Sequence, residues 1–487
     1  MPTRREQLHA YRFVSRRIVS AMLSGEPESS MLPMRRLGLA AFASAMVGVI
    51  VFAGVGVYGL LRPGGNDSWK KDGTFIIERE SGARFVYQGG KLRPIVNYAS
   101  ARLIVGTAEP QEVSASSLRG VPRGAATGIT GAPDTVPASD ALVGLPWIVC
   151  SSPRYRTTTT TLATELMVGR ALPGGSDPGS RGLLVHQDDK NGTMYLLWHD
   201  HRYEVPDETA AAALGLPVTT PAVVGSAMLN AVPEGPRLAA PTITGAGGPG
   251  LAVDGSARTV GDVFRVGARY FVLLGSGLVP VGEATAKLVL GGEPATSLPA
   301  TAVRDKLSDD TQFEPDGMPA TVPELTSLSG EQPAVCASFR GDGSGHGSGH
   351  TSGPVRLRLY RSTPAQLRPD ADGPQSTSGP RDAGPVADRI VVPGGHGALV
   401  REEPAPGTTA GTTVYLVTDQ GRKYALMRSG KSDARTLLGY DDATPVPVPS
   451  ELLDLVPTGP PLDPAAALLS NTVVAPSPTV TPHKQGG

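Results

Sequence analysis

Two cysteines, one Gly-Lys-Ser run and eight histidines are the residues through which a 487-residue chain of this composition could do chemistry. Gly430, Lys431 and Ser432 end the segment Ala425-Leu426-Met427-Arg428-Ser429-Gly430-Lys431-Ser432, which matches a relaxed phosphate loop. A phosphate cradle needs backbone N–H groups converging from a glycine-rich bend, with a helix N-terminus behind them. Here Ala425 stands at the first glycine position, Leu426, Met427 and Arg428 fill the loop, and no strand ending in a magnesium-binding Asp follows. An exposed hairpin turn is the expectation, and nucleotide binding at Gly430, Lys431 and Ser432 is the minor alternative. Gly245 to Gly250 satisfies G-x-G-x-x-G, but Pro249 denies the helix a pyrophosphate would need, so it reads as a linker.

Metal chemistry fares no better. His199-Asp200-His201 falls in an expected hairpin turn without further ligands, and His346 and His350 sit in a Gly/Ser run whose ordering would cost any site its affinity. No G-x-S-x-G elbow, no H-E-x-x-H and no dense cysteine framework exist, and Arg340-Gly341-Asp342 has no more standing than chance. The expectation is no catalytic residue, no metal and no cofactor. A net charge of −1 gives no basic footprint, which argues against nucleic acid as a partner.

The elements that would position these groups begin with an anchor. Leu37 to Leu61 runs without a charge, bracketed by Arg35, Arg36 and Arg62. As a helix it is about 37 Å long, enough to cross a hydrocarbon core of about 30 Å. It is too long for a signal-peptide core and lies too far from the start. Residues 1–36 hold seven arginines against Glu6, Glu26 and Glu28, whereas charges over 62–80 cancel. The N-terminus is therefore expected in the cytoplasm and residues 62–487 outside it. Outside, Cys150 and Cys336 can form one disulfide. Thr3 and Glu6 read as a capping box and Gly25 with Pro27 as a stop, enclosing a basic helix whose Leu8, Tyr11, Ile18 and Met22 recur at helical spacing. Such an arm suits anionic lipid, a partner protein or plain solvation.

The exported part is repetitive. Aromatic-centred strands recur at Ala83–Tyr87, Thr193–Leu197, Arg269–Leu273 and Thr413–Val417, each followed by a turn and a second apolar run, and Tyr203 and Tyr424 follow two of those turns. Tyr87, Tyr195, Tyr270 and Tyr415 are expected in the cores of small repeats. L-x-x-V-P-x-G appears from Leu118 to Gly124, Leu229 to Gly235 and Leu453 to Gly459, with a helix expected to end at V-P. The third unit shows no copy. Val149-Cys150 and Val335-Cys336 sit in matching surroundings, 63 and 66 residues after Tyr87 and Tyr270, so the halves read as duplicates.

The expected fold is a single-pass membrane protein with a mainly β (α+β) periplasmic region, a central β domain and four small repeat domains in pseudo-twofold arrangement. The expected divisions are a cytoplasmic arm over 1–36, the span over 37–61, and repeat 1 with its linker over 62–112. Central part A follows over 113–180, repeat 2 over 181–238 and repeat 3 over 239–310. Central part B covers 311–395, with insertions at 341–354 and 368–388, then repeat 4 over 396–462 and a disordered tail over 463–487.

The opening Pro2-Thr3-Arg4-Arg5-Glu6-Gln7 with Tyr11-Arg12-Phe13, the span end Leu60-Leu61-Arg62-Pro63, the run from Asn97 to Ile104, the turn Gly131-Ala132-Pro133-Asp134 and the paired Val-Cys segments resemble EccB. EccB is a core membrane component of the type VII (ESX) secretion system of actinobacteria. The likeness covers residues 2 to about 462, and the two insertions depart from it. It implies a structural subunit of an inner-membrane complex with EccC, EccD and EccE, in which EccC is the ATPase motor. It further implies self-association and four repeats like a phage lysin's wall-binding module, hence contact with peptidoglycan. A periplasmic nucleotide hydrolase, or a wall-binding protein without a secretion role, are the alternatives.

Overall fold

A computed structural model describes residues 3–24, 33–61, 67–155, 160–188, 192–217, 222–308, 313–340, 355–367, 386–403 and 413–470. The insertions expected at 341–354 and 368–388 lie outside them save for residues 386–388, as does the tail beyond 470. The chain forms two compact units, Met1–Leu92 with Pro110–Arg123, and Arg93–Glu109 with Gly124–Gly487.

The first unit opens with helix α1 (Arg4–Ser24). Glu6 accepts a hydrogen bond from the Thr3 backbone N–H at 2.9 Å, the reciprocal cap expected from T-x-x-E, and that bond lowers the Glu6 pKa. Leu8, Tyr11, Ile18 and Met22 are exposed along it. Helix α2 (Pro33–Leu61) follows, and Leu37–Tyr58 within it is long and apolar enough to cross a membrane. Strands β1 (Thr74–Glu78), β2 (Arg84–Gln88) and β3 (Lys91–Pro94) form an antiparallel meander. The chain then passes through helix α3 (Tyr98–Val105), which belongs to the second unit, and returns as β4 (Gln111–Val113), parallel to β1, and helix α4 (Ala115–Leu118). Trp69, Ile76, Phe85, Leu92, Val113 and Leu118 fill this sheet's core. Residues 113–123 therefore close the first repeat instead of opening the central part. The reason is backbone pairing: Leu92 N donates to Pro122 O at 2.9 Å, so the V-P segment extends the sheet.

The second unit contains the central sheet and three further copies of that design. Along the chain come β5 (Trp147–Tyr155), β6 (Thr160–Val168), β7 (Gly182–Gln187), β8 (Met194–Trp198), β9 (His201–Val205), helix α5 (Glu208–Leu214), β10 (Ala222–Val224) and helix α6 (Ser226–Asn230). Next are β11 (Val263–Val266), β12 (Arg269–Leu274), β13 (Gly277–Val281), helix α7 (Glu283–Leu290), β14 (Thr296–Ser297), β15 (Leu325–Thr326), β16 (Ala334–Phe339), β17 (Val355–Tyr360) and β18 (Arg389–Val391). The last group is β19 (Gly397–Glu403), β20 (Val414–Thr418), β21 (Lys423–Leu426), β22 (Arg428–Ser429), β23 (Ser432–Asp433), helix α8 (Ala434–Leu438), β24 (Val446–Pro449), helix α9 (Ser450–Asp454) and helix α10 (Pro464–Ala467).

Sheets β9-β8-β7-β10, β13-β12-β11-β14 and β21-β20-β19-β24 repeat the order β3-β2-β1-β4, with the fourth strand parallel to the first. Each crossover carries a helix: α3, α5, α7 or α8. Parallel neighbours need a crossover of this kind because a tight turn reverses direction. Local chemistry starts and stops these helices. Asn97, Asp207 and Asp433 accept from N–H groups at the starts of α3, α5 and α8, while Gly215 and Gly439 take the left-handed conformation at the ends of α5 and α8. The helices then pair, α5 with α7 and α3 with α8. Ala99 and Leu103 of α3 share one core with Ala434, Leu438, Tyr424 and Ala467. Ala467 lies on α10 and is fully buried, so the tail expected from 463 begins as packed helix; Asp463 caps it and Pro464 suits its first turn.

The central sheet runs β17-β16-β5-β6-β18. Its Trp147, Val149, Val335, Ala337, Leu357 and Leu359 join side chains of the second and fourth repeats in the largest core, and every residue of β16 is buried.

Candidate functional site

The two cysteines are brought together by register. In the antiparallel β5–β16 pair, Cys150 lies directly opposite Cys336, with Val149 opposite Ala337 and Ser151 opposite Val335. The thiols are joined as a disulfide, both cysteines are fully buried, and their sequence separation is 186. Successive residues of a strand face opposite sides. The bridge therefore sits on the face shared by Ile148, Met167, Tyr360 and Val391, away from the Trp147 side.

Three of the four repeat sheets are sealed by the V-P-x-G segment. The x residue forms a parallel bridge to the third strand: Arg123 to Leu92, Glu234 to Arg202 and Thr458 to Lys423. Lys423 N donates to Pro457 O at 2.9 Å and accepts, through its carbonyl, from Gly459 N at 2.8 Å. The motif glycine is explained by the tyrosine beside it, since a Cβ at Gly235 would lie 2.4 Å from Tyr203 Cε1 and one at Gly459 would lie 2.2 Å from Tyr424 Cε1. The third sheet makes the same bridge, Leu278 to Leu307, without the motif. Short 3-10 turns over Ala300–Ala302 and Arg304–Lys306 deliver the backbone there, so no proline or buried tyrosine is needed.

Two sheets carry a cation over the strand-centre tyrosine. Arg202 lies 5.7 Å from the Tyr195 ring centroid and donates to Asn230 Oδ1 at 2.6 Å and Glu234 Oε2 at 3.0 Å. Lys423 lies 5.8 Å from the Tyr415 centroid and donates to Leu453 O at 2.6 Å. Burial pushes the Lys423 ammonium below its ordinary pKa, while Asp454 pulls it partly back. Tyr87, Tyr195, Tyr270 and Tyr415 are half-buried; Tyr87 packs against the core that Phe85 fills, whereas the other three lie on the strand face opposite the buried Leu196, Phe271 and Leu416. Tyr440 is the most enclosed phenol among the described residues. It donates to Pro137 O at 2.7 Å, and burial drives its pKa far up.

Gly430 and Lys431 form the exposed tip of the β22–β23 hairpin, with Ser429 opposite Ser432 and Gly430 at φ 60°. The helix behind it has only five residues, and Asp433 already occupies its N-terminal amide, accepting from Arg435 N at 2.9 Å. Burial raises the Asp433 pKa, but the Arg428 hydrogen bond, the Arg435 amide and both guanidiniums outweigh it and leave the carboxyl below its usual value. Ser429 is hydrogen-bonded to Asp463. His199 and Asp200 form the β8–β9 turn, His201 pairs with Asp200 at 2.7 Å, and no three-ligand cluster occurs among the described residues. His346 and His350 lie outside them.

A membrane-length helix, four sheets of one topology and a disulfide-crossed central sheet define a membrane-anchored repeat protein. The family model described as type VII secretion system ESX-1, transport TM domain B, matches residues 1–476, and the chain belongs to that family, EccB. Among relatives, the protein of Mycolicibacterium smegmatis named ESX-3 secretion system ATPase EccB3 is 28% identical, over 97% of this chain and 92% of its own. The Mycobacterium tuberculosis protein named ESX-5 secretion system ATPase EccB5 is 27% identical, over 96% and 93%. A chain from an intact ESX-5 inner membrane complex aligns over 100% of this chain and 98% of its own, with TM-score 0.62 at 22% identity. A chain of the EccB3 dimer from the ESX-3 core complex aligns over 81% and 100%, with TM-score 0.61 at 24% identity.

Proposed function

We propose that this chain is a non-enzymatic structural subunit of a type VII secretion inner-membrane complex. The observation that carries the reading is the family match across residues 1–476, joined to a fold made of one anchor and repeated sheets. Residues 1–36 stay in the cytoplasm because their arginines resist transfer, and the disulfide-crossed part lies in the periplasm, where the bridge persists. There it assembles with EccC, EccD and EccE and with further copies of itself, and its repeats contact peptidoglycan. Solved relatives described as an inner membrane complex and as a dimer favour the assembly. Copurification from native membranes with the neighbouring secretion subunits tests it; recovery of the chain alone overturns it. Sedimentation with purified peptidoglycan tests the wall contact separately.

The ATPase in the relatives' names makes nucleotide hydrolysis the competing reading. The hairpin geometry favours the scaffold: Asp433 and Asp463 put negative charge where a phosphate would have to sit. Purified chain is expected to hydrolyse no ATP above background, and Lys431→Ala to change nothing. A robust activity that Lys431→Ala abolishes would establish the enzyme instead.

A further inference from the structure

The central sheet carries an unmatched charge on the disulfide's face. Around the Cys150–Cys336 pair the strands are arranged in equivalent fashion, β6 flanking β5 and β17 flanking β16. Opposite Cys150 stands Glu165, and opposite Cys336 stands Arg358. Two residues beyond each cysteine is a serine, Ser152 and Ser338. On the first side the serine has a carboxylate partner. Ser152 Oγ donates to Glu165 Oε2 at 3.2 Å, and Arg389 lies in register with Glu165 on β18. On the second side no such partner stands among the described residues. Ser338 is 3% exposed, yet its hydroxyl has no hydrogen-bond partner, and among the described residues neither Arg358 nor Arg340 forms an ion pair.

Instead, a cleft of about 300 Å³ opens there, lined by Ser338, Arg340, Arg358 and Tyr360 with Ile148 and Leu172. Tyr360 is held by tight packing against Gly175, where a Cβ would lie 2.7 Å from the ring carbon Cζ, and its hydroxyl reaches Leu172 O at 3.4 Å. The walls are thus fixed and part apolar, and the charged side chains among them, Arg340 and Arg358, are donors. Buried donors are normally satisfied, and a planar guanidinium is matched by the two oxygens of a carboxylate or phosphate.

We propose that this cleft binds a small ligand through a carboxylate or phosphate group, whose oxygens take hydrogen bonds from Arg340, Arg358 and the Ser338 hydroxyl. The anion supplies on the β16–β17 side what Glu165 supplies on the β5–β6 side. The site is independent of the scaffold reading, and its failure leaves that reading intact.

The test is calorimetric titration of the full chain, in an uncharged maltoside detergent, with inorganic phosphate and separately with N-acetylalanine. Saturable binding of at least one probe in the millimolar range is expected, weakening as salt rises. Binding of phosphate alone assigns a phosphate ligand, and of N-acetylalanine alone or both a carboxylate-competent one. Arg358→Gln should weaken binding by roughly tenfold or more, and Ser338→Ala by a few-fold without lowering the melting temperature, because it deletes a hydroxyl with no partner. Arg304→Gln, outside the cleft, should change nothing. Absence of binding by both probes up to about 20 mM, Ser338→Ala binding as the wild type does, or an equal loss in Arg304→Gln would overturn the site.

Discussion

Gly459→Ala tests whether the V-P-x-G glycine exists to seat Tyr424. The added methyl would lie 2.2 Å from Tyr424 Cε1, 2.6 Å from Cδ1 and 3.0 Å from Cζ. Carbon atoms settle at about 3.5–4.0 Å, so ring and loop must separate by more than about 1 Å. Neither has room. Tyr424 is 1% exposed among Leu416, Leu438 and Leu462, and both hydrogen bonds to Lys423 pin the loop. Reduced freedom of the unfolded chain returns about 0.4–1 kcal/mol, and overpacking costs about 1–3 kcal/mol, so a net loss of roughly 1–2 kcal/mol is expected. Tyr424→Ala alone should cost about 3–5 kcal/mol. Combined, the new methyl enters space the ring has left, and the total should fall below the sum by about 1 kcal/mol or more. Urea-dependent pulse proteolysis of the chain in detergent reads these differences as populations of the opened state. Gly235→Ala against Tyr203 should behave alike, whereas Gly124→Ala meets only the yielding Arg93 Cγ at 3.1 Å and should cost little. A Gly459→Ala chain within about 0.5 kcal/mol of the parent, or strictly additive costs, would refute the steric account.

Replacing Cys150 and Cys336 with Ser should leave the sheet assembled but destabilise it by up to about 5 kcal/mol, the chain-entropy value for so long a loop. The parent should migrate differently with and without reductant, and two alkylatable thiols in the untreated protein would contradict the bridge. Because burial lowers the Lys423 pKa, the folded chain holds that proton less readily than the unfolded one. Its protonated form therefore costs stability at neutral pH, and the cost shrinks as pH rises through the folded pKa toward the unfolded one. Melting curves of the parent should gain on those of Lys423→Met across that alkaline range, and parallel curves would count against the argument. Arginine at both Val49 and Phe52 adds about 5–7 kcal/mol to membrane insertion and should shift the chain out of the carbonate-resistant membrane fraction.

What short-range chemistry decides is legible in the residue order alone. The uncharged run over 37–61 makes α2, Thr3 with Glu6 starts α1, and alternating apolar strands with Gly or Asp turns place β2, β8, β12 and β20. Asp207 to Gly215 and Asp433 to Gly439 also signalled α5 and α8, in a cap-to-glycine pattern that hairpin spacing obscured. Other features required tertiary structure. Tyr87 faces its repeat core while Tyr195, Tyr270 and Tyr415 face away from the buried Leu196, Phe271 and Leu416, because pleat direction, set by neighbouring strands, chooses the buried face. The third repeat closes through Leu307 because a backbone bridge depends on position and tolerates almost any side chain. Residues 113–123 join the first sheet, and 463–467 a helix core, for the same reason: pairing and burial are settled by partners remote in sequence. So too with Ser338 and Arg358. Nothing local marks them, and only the register of β16 against β5 and β17, fixed across 186 residues by Cys150 facing Cys336, leaves their donors turned toward one cleft.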